Sequence, residues 1–342
     1  MRIVPSLLTV LAAFSATSFT GAVVVSNYTD PTNLRFADDE SFVGNGFDLS
    51  GVGRLSTLSP ADQARVANGD IAFREGTWAT ALGQNYFLSA NHFQPDAGSE
   101  ITFYDGNSAS SPSFTYTVGG GFRVGSTDLW IGYTLTEMDP SIRRYAFATT
   151  PANVLADLGL GDQPLYMSGD LLPGRPGTVT DHVLATNQAE SFYNQGAGEF
   201  ESPDGSGVTV SFTPPAGFEN DMIMLFQNQT GDDQAPTFHE AFLQAGDSGS
   251  PLFRADGTTL TILGVGSLAA TAVPGNFIDT PGGPGSPNDP LENRNASFYT
   301  YTGSYVQEIN DAIALVPAPI PEPASLLLLG LGGAALGLRR RR

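Results

Sequence analysis

The sequence predicts an all-β protein, and three observations carry that prediction. Glycine and proline are abundant, at 40 and 24 of 342 residues, and Val, Thr, Phe and Tyr fall in short runs between them. β-Branched and aromatic side chains suit a pleated, half-buried surface, while Gly and Pro punctuate turns. Strand-like segments then recur with turn signals between them, as in Glu100-Ile101-Thr102-Phe103-Tyr104-Asp105-Gly106-Asn107 and Gly207-Val208-Thr209-Val210-Ser211-Phe212. No long amphipathic helix interrupts them before the C-terminus, and no internal repeat is visible. A chain of this length holds two domains with cores of their own, and we place the division near residue 150.

Taken in order, the chain opens on an address. Arg2, a mostly apolar run over residues 3–14 and the small pair Gly21-Ala22 read as a secretory signal over residues 1–22. Gly76-Thr77-Trp78-Ala79-Thr80-Ala81-Leu82 reads as a strand that pairs with Tyr86-Phe87-Leu88-Ser89-Ala90-Asn91-His92-Phe93. The second of these is an apolar strand ending in small residues that deliver an imidazole. A histidine after such a run is either a base or a packed core residue. His182 and His239 lack this context and read as surface or structural. Asp128 opens Asp128-Leu129-Trp130-Ile131, where an aspartate is either a turn residue or a carboxylate that orients the imidazole.

The loop Gly246-Asp247-Ser248-Gly249-Ser250-Pro251 is the most informative segment. A serine hydroxyl is a poor nucleophile, so its backbone must hold it beside a base. Flanking glycines let a peptide approach the main chain and leave N–H groups to face a developing oxyanion. The same composition also suits an ordinary turn. Leu263-Gly264-Val265-Gly266-Ser267-Leu268-Ala269 reads as a further strand. Phe298 to Ile309 reads as a closing strand followed by a helix, in which Tyr305, Val306 and Ile309 share one face.

Together these segments resemble the trypsin/chymotrypsin-like serine proteases over roughly residues 50–313. The loop matches five of six positions of that family's G-D-S-G-G-P, and His92, Asp128 and Ser248 follow in the family's order. The resemblance implies two antiparallel six-stranded β-barrels with a C-terminal helix: residues 23–150 carry His92 and Asp128, and residues 151–316 carry Ser248. It implies His92, Asp128 and Ser248 as catalytic residues and the N–H groups of Gly246 and Ser248 as the oxyanion hole. It also implies Ser267 in a strand lining the substrate cleft, Phe242 as the floor of the specificity pocket, and Ala269 and Ser297 as its walls. A short gap in this register would bring Glu240 into the pocket instead. The implied activity is hydrolysis of peptide bonds through an acyl-enzyme, after small or medium apolar residues such as Ala, Val or Leu, without cofactor or metal. The alternative is a catalytically silent surface or matrix protein that keeps the fold.

The family's pattern is not met everywhere. Many members activate through a cut N-terminus that pairs with the aspartate before the nucleophile, here Asp247. No I-V-G-G start is present, and Phe42-Val43-Gly44-Asn45 is a poor substitute. Cysteine is absent, so the cores must hold an exported fold without disulfides.

At the far end, Pro321-Glu322-Pro323 precedes an apolar run over residues 324–338 and then four arginines at 339–342. The run is short for a membrane span. The order resembles the PEP-CTERM sorting tail of Gram-negative bacteria, which implies residues 317–342 as a removable tail, an exosortase-type processing enzyme as partner, membrane contact only through the tail before processing, and a secreted or cell-surface product. The formal net charge of -20, with every basic residue an arginine, suits solubility and argues against nucleic acid or anionic membranes as partners. Residues 274–295, crowded with Asn, Asp, Gly and Pro, read as a disordered surface loop in preference to a calcium-binding or substrate-contacting one.

Overall fold

The computed structural model describes residues 23–25, 27–68, 77–150, 164–170, 181–187, 189, 191–195, 199–201, 207–208, 220–227, 241–244, 246–273 and 294–320. The signal segment, His239, Glu240, residues 274–293 of the expected disordered loop and the tail beyond Ile320 lie outside these residues, while Arg294 and Asn295, the last two of that loop, belong to a strand.

The fold is mostly β: a closed six-stranded antiparallel barrel, a second sheet and one C-terminal helix. A short strand β1 (Val24–Val25) and the single-turn α1 (Asp30–Asn33) precede the barrel. The barrel uses β2 (Val52–Thr57), β3 (Trp78–Ala81), β4 (Tyr86–Ala90), β5 (Glu100–Tyr104), β6 (Ser113–Arg123) and β7 (Leu129–Thr134). The strands join in the order β2-β3-β4-β7-β6-β5, and β2 pairs with β5 to close the ring. Helix α2 (Pro60–Ala67) follows β2, with Ser59 as its cap accepting the Asp62 N–H at 3.1 Å and Pro60 in the first turn. Ala79, Ala81, Phe87, Ile101, Phe103 and Trp130 fill the barrel.

Among the described residues, the second half forms a ten-stranded sheet. Its strands are β8 (Ala146–Phe147), β9 (Leu165–Asp170), β10 (His182–Asn187), β11 (Ser191–Asn194), β12 (Glu199–Glu201), β13 (Gly207–Val208) and β14 (Met222–Gln227), then β16 (Pro251–Asp256), β17 (Thr259–Val273) and β18 (Arg294–Tyr301), while β15 (Ala241–Phe242) pairs, among the described residues, with β1. Helix α3 (Val306–Ala314) closes the chain, and its Ile309 and Ala312 are buried, as the shared apolar face anticipates.

Two crossings tie the halves together. Residues 23–25, expected with the first barrel, pack in the core of the second: β1 pairs with β15, and Val23 and Val25 are buried beside Leu243 and Leu252. In the other direction, β8 pairs in parallel with β17 although it precedes residue 150. A shared apolar cluster fills the seam, with Trp78, Leu88, Leu129 and Ile131 of the barrel against Leu184, Phe253, Ile262 and Ile309. Burying one such side chain stabilises by about 1.5–3 kcal/mol, so several across one seam hold the halves as a unit.

Candidate active site

The barrel delivers the base and its orienting acid through one ladder. β4 and β7 pair from Tyr86↔Tyr133 to Ala90↔Leu129, and the pairing continues one step as the Asn91 N–H donates to the Asp128 carbonyl at 2.6 Å. His92 therefore leaves the end of β4 opposite the residue that opens β7. The two segments expected to pair, around residues 76–82 and 86–93, do so through Thr80↔Leu88 and Ala81↔Phe87.

Asp128 is 1% exposed. Its Oδ1 accepts the backbone N–H of His92 at 2.9 Å, and its Oδ2 lies 2.7 Å from His92 Nδ1. A carboxylate there makes Nδ1 the protonated ring nitrogen, so Nε2 is an acceptor. Nε2 lies 2.7 Å from Ser248 Oγ. The ring stays partly open to solvent at 30%, as a group that must meet substrate requires. The structure thus joins the three expected catalytic residues in one chain of hydrogen bonds across the two halves.

The nucleophile loop is shaped by turn chemistry. Gly246 has φ +109° and Gly249 φ +89°, values that L side chains rarely adopt. A Cβ at Gly249 would lie 2.8 Å from Ser89 Oγ and 3.2 Å from the Ala90 N, so the loop presses on the end of the histidine strand. The Gly249 N–H donates to the Gly266 carbonyl at 2.8 Å, and the Ser250 N–H to the Asp247 carbonyl at 3.0 Å. Among the described residues, no backbone carbonyl takes the N–H of Gly246 or of Ser248, the pair expected to face an oxyanion.

Asp247 is fully buried, and its carboxylate accepts two backbone N–H groups from within the chain. Its Oδ1 accepts the Asp170 N–H at 2.8 Å and its Oδ2 the Gln244 N–H at 2.9 Å. Burial pushes its carboxyl up to about 7, with Asp170 raising it further and the two N–H donors and Arg54 opposing. Phe42, the poor candidate for a cut terminus, is buried inside the chain, with its N–H donating to the Asp39 carbonyl at 3.2 Å.

A cavity of about 220 Å³ opens beside Ser248, lined by Leu243, Gln244, Ser267, Leu268 and Ala269. Two expected lining residues, Ser267 and Ala269, are there; Phe242 and Ser297 are not. Phe242 lies in β15 opposite Val24 and is 2% exposed. Neighbouring residues of an extended chain face opposite sides, so Leu243 takes the place in the cavity that the ungapped count gave to Phe242. Ser297 sits one layer behind, accepting the Leu243 N–H on its Oγ at 2.9 Å. Among the described residues no cluster of three or more His, Asp or Glu side chains could hold a metal ion.

Sequence reasoning missed Asn220, whose Oδ1 accepts the Asp128 N–H at 3.1 Å and braces the backbone of the orienting acid. No local signal marks it, since the two residues are 92 positions apart. His182 is structural as expected, but buried: its Nδ1 lies 3.3 Å from Arg35 Nη1, and burial, then Arg35 and Arg54, hold it well below the usual histidine range.

A model of the PEP-CTERM protein-sorting motif matches residues 319–342. The chain carries a PEP-CTERM sorting signal at its C-terminus. Such a signal implies export and processing by an exosortase-type enzyme. No curated protein matches the chain. Among solved structures, a mutant of human heparin binding protein (CAP37) is similar at 13% identity and a TM-score of 0.45, covering 80% of this chain and 95% of that one. The scabies mite inactivated protease paralogue S-D1 is similar at 13% identity and a TM-score of 0.40, covering 79% and 94%. Neither likeness bears on chemistry, which rests on the site itself.

Proposed function

We propose that this chain is an exported serine endopeptidase. One observation carries the reading: His92 bridges Asp128 and Ser248 with 2.7 Å on either side of its ring. In the proposed cycle, Ser248 Oγ attacks the scissile carbonyl carbon while its proton passes to His92 Nε2. The charge on the carbonyl oxygen falls to the N–H groups of Gly246 and Ser248. His92 then gives the proton to the leaving amine, which departs and leaves an acyl group on Ser248. A water activated by His92 hydrolyses that ester and restores the hydroxyl. Asp128 keeps Nδ1 protonated and stabilises the imidazolium at both steps.

The cavity beside Ser248 supports a preference for a small or medium apolar residue before the scissile bond. None of its described lining residues is charged, and a buried guanidinium or ammonium without a partner is costly. A methylene more or less changes selectivity only modestly, so Ala, Val and Leu are all accepted. Profiling with peptides varied at that residue tests this; preferred cleavage after Arg or Lys would refute the pocket assignment.

The catalytic reading is tested with purified, processed protein, a fluorophosphonate label and the Ser248→Ala variant. The wild type is expected to label and hydrolyse peptides, and the variant to keep the fold while losing several powers of ten in rate. Peptidase activity in Ser248→Ala equal to wild type would sink the assignment. A folded wild type that neither labels nor hydrolyses would favour a silent surface protein.

A further inference from the structure

The triad is divided between two halves of the molecule, with His92 and Asp128 on the barrel and Ser248 on the second sheet. The apolar seam holds those halves together, but apolar contact is non-directional and does not by itself fix a hydrogen bond to a few tenths of an ångström. One buried polar chain does run from the barrel to the nucleophile loop. Arg54 of β2 forms an ion pair with Asp170 at the end of β9, both side chains being almost wholly buried. The Arg54 guanidinium also lies 4.9 Å from the Trp78 ring centroid, at the base of the histidine-bearing hairpin. The backbone N–H of Asp170 donates to Asp247 Oδ1, and the carbonyl of Asp170 accepts the Val23 N–H at 3.1 Å. Asp247 closes its own turn, since its Oδ2 accepts the Gln244 N–H while its N–H donates to the Gln244 carbonyl at 3.1 Å. Gly246 and Ser248 flank it.

We infer that Arg54 and Asp170 are positioning residues for the nucleophile: their ion pair anchors Asp170 to the barrel, and Asp170 in turn holds the Asp247 turn that sets Ser248 and the oxyanion donors against His92. This rests on the protease reading above. The arrangement is directional where the seam is not. The planar guanidinium is held at two points on the second half, Nη2 meeting Asp170 Oδ2 and Nη1 donating to the Asp181 carbonyl at 3.4 Å, which fixes its orientation as well as its distance. A buried carboxylate such as Asp247, fully enclosed, has a strong preference for the donors it already holds.

The test compares wild type, Asp170→Asn, Arg54→Met and Arg54→Lys as processed proteins. Active sites are titrated with a fluorophosphonate, so that kcat is read per reactive serine. A purely structural role lowers the reactive fraction and leaves kcat per site unchanged. A positioning role lowers kcat per site by roughly a hundredfold in Asp170→Asn and Arg54→Met, as misplacement of a reacting group by about 1 Å does, while KM stays within about threefold. Arg54→Lys keeps the charge without the planar fork and is expected to fall about tenfold. Hydrogen exchange at the Gly249 and Ser250 amides gives a readout that needs no activity, and is expected to quicken at least tenfold in each folded variant. Wild-type kcat per site with wild-type exchange in the folded variants would overturn the inference. If Asp170→Asn and Arg54→Met fail to fold, Arg54→Lys decides alone by the same two measures. If the wild type neither labels nor hydrolyses, the protease reading fails, and exchange in the variants still decides whether the pair holds the loop: unchanged protection overturns it, faster exchange upholds it.

Discussion

The two halves of the molecule place their catalytic side chains by different physics. In the barrel, His92 and Asp128 lie at the adjoining ends of two paired strands, so the register of one ladder sets their separation. Every strand of that barrel is bonded on both sides, and a slip of one residue would turn all its inward side chains outward. In the second half, Ser248 rides a turn held by two glycines at positive φ and by one buried carboxylate. The base is therefore placed by cooperative pairing over many residues, and the nucleophile by a few special contacts. Damage to a special contact is felt locally, whereas damage to the ladder is felt by the fold.

The sharpest way to separate placement from chemistry is Asp128→Asn. The amide side chain occupies nearly the same space and can accept the His92 N–H, so the ladder and the fold are expected to survive. It offers its own N–H to Nδ1 or fails to fix the tautomer, which removes the acceptor at Nε2. A loss of about ten-thousandfold in kcat is expected, with a melting temperature within a few degrees of wild type. A variant that retains a tenth of wild-type kcat would show that Asp128 is not the orienting acid.

Gly249→Ala breaks the other half of the comparison. The new Cβ would meet Ser89 Oγ at 2.8 Å and would sit at φ +89°, a strain of about 1–3 kcal/mol. Relief by shifting the loop moves Ser248 away from His92, so activity is expected to fall about a hundredfold while near-ultraviolet circular dichroism of the barrel tryptophans is unchanged. Trp78 and Trp130 are the chain's two tryptophans, both buried on barrel strands, Trp78 facing the seam and Trp130 the barrel interior. Full activity in Gly249→Ala would mean that the loop is not held by this contact.

What the sequence made legible follows the same division. The nucleophile loop could be read because positive φ and close approach demand glycine locally, and the demand is written in adjacent residues. The closing strand and α3 could be read because their periodicities are local too, and Ile309 is buried as the pattern requires. The lining of the cavity beside Ser248 could not be fixed to the residue, because strand alternation turns a one-residue uncertainty into the opposite face: Leu243 lines it and Phe242 pairs with β1 instead. Asn220 and the Arg54–Asp170 pair left no trace either, because their partners are 92 and 116 positions away. Nor did the course of residues 23–25 into the second core, which depends on a partner strand more than two hundred residues downstream.

The smallest expected effect is on the pH dependence of stability, and it tests whether the two halves also titrate differently. Asp247 faces Arg54 from β2, the N–H and carboxylate of Asp170 from β9, the Gln244 N–H from its own loop and Tyr299 from β18. Burial raises its carboxyl to about 7, above an unfolded value near 3.9. Between those values the folded protein holds a proton that the unfolded chain has released, so this group's contribution to stability falls as pH rises from about 4 to about 7. His182 acts in the opposite sense. Its pKa is lowered by burial, then by Arg35 and Arg54, so below about 6.5 the unfolded chain binds a proton that the folded one refuses, and stability is lost as pH falls. Wild type therefore carries two opposed slopes over the same range. Asp247→Asn removes the falling one, so its stability is expected to rise from pH 5 to pH 6.5 relative to wild type, by at most about 1.4 kcal/mol per pH unit. Urea unfolding of both proteins at those two pH values measures the difference, and parallel curves would show that Asp247 does not titrate with folding.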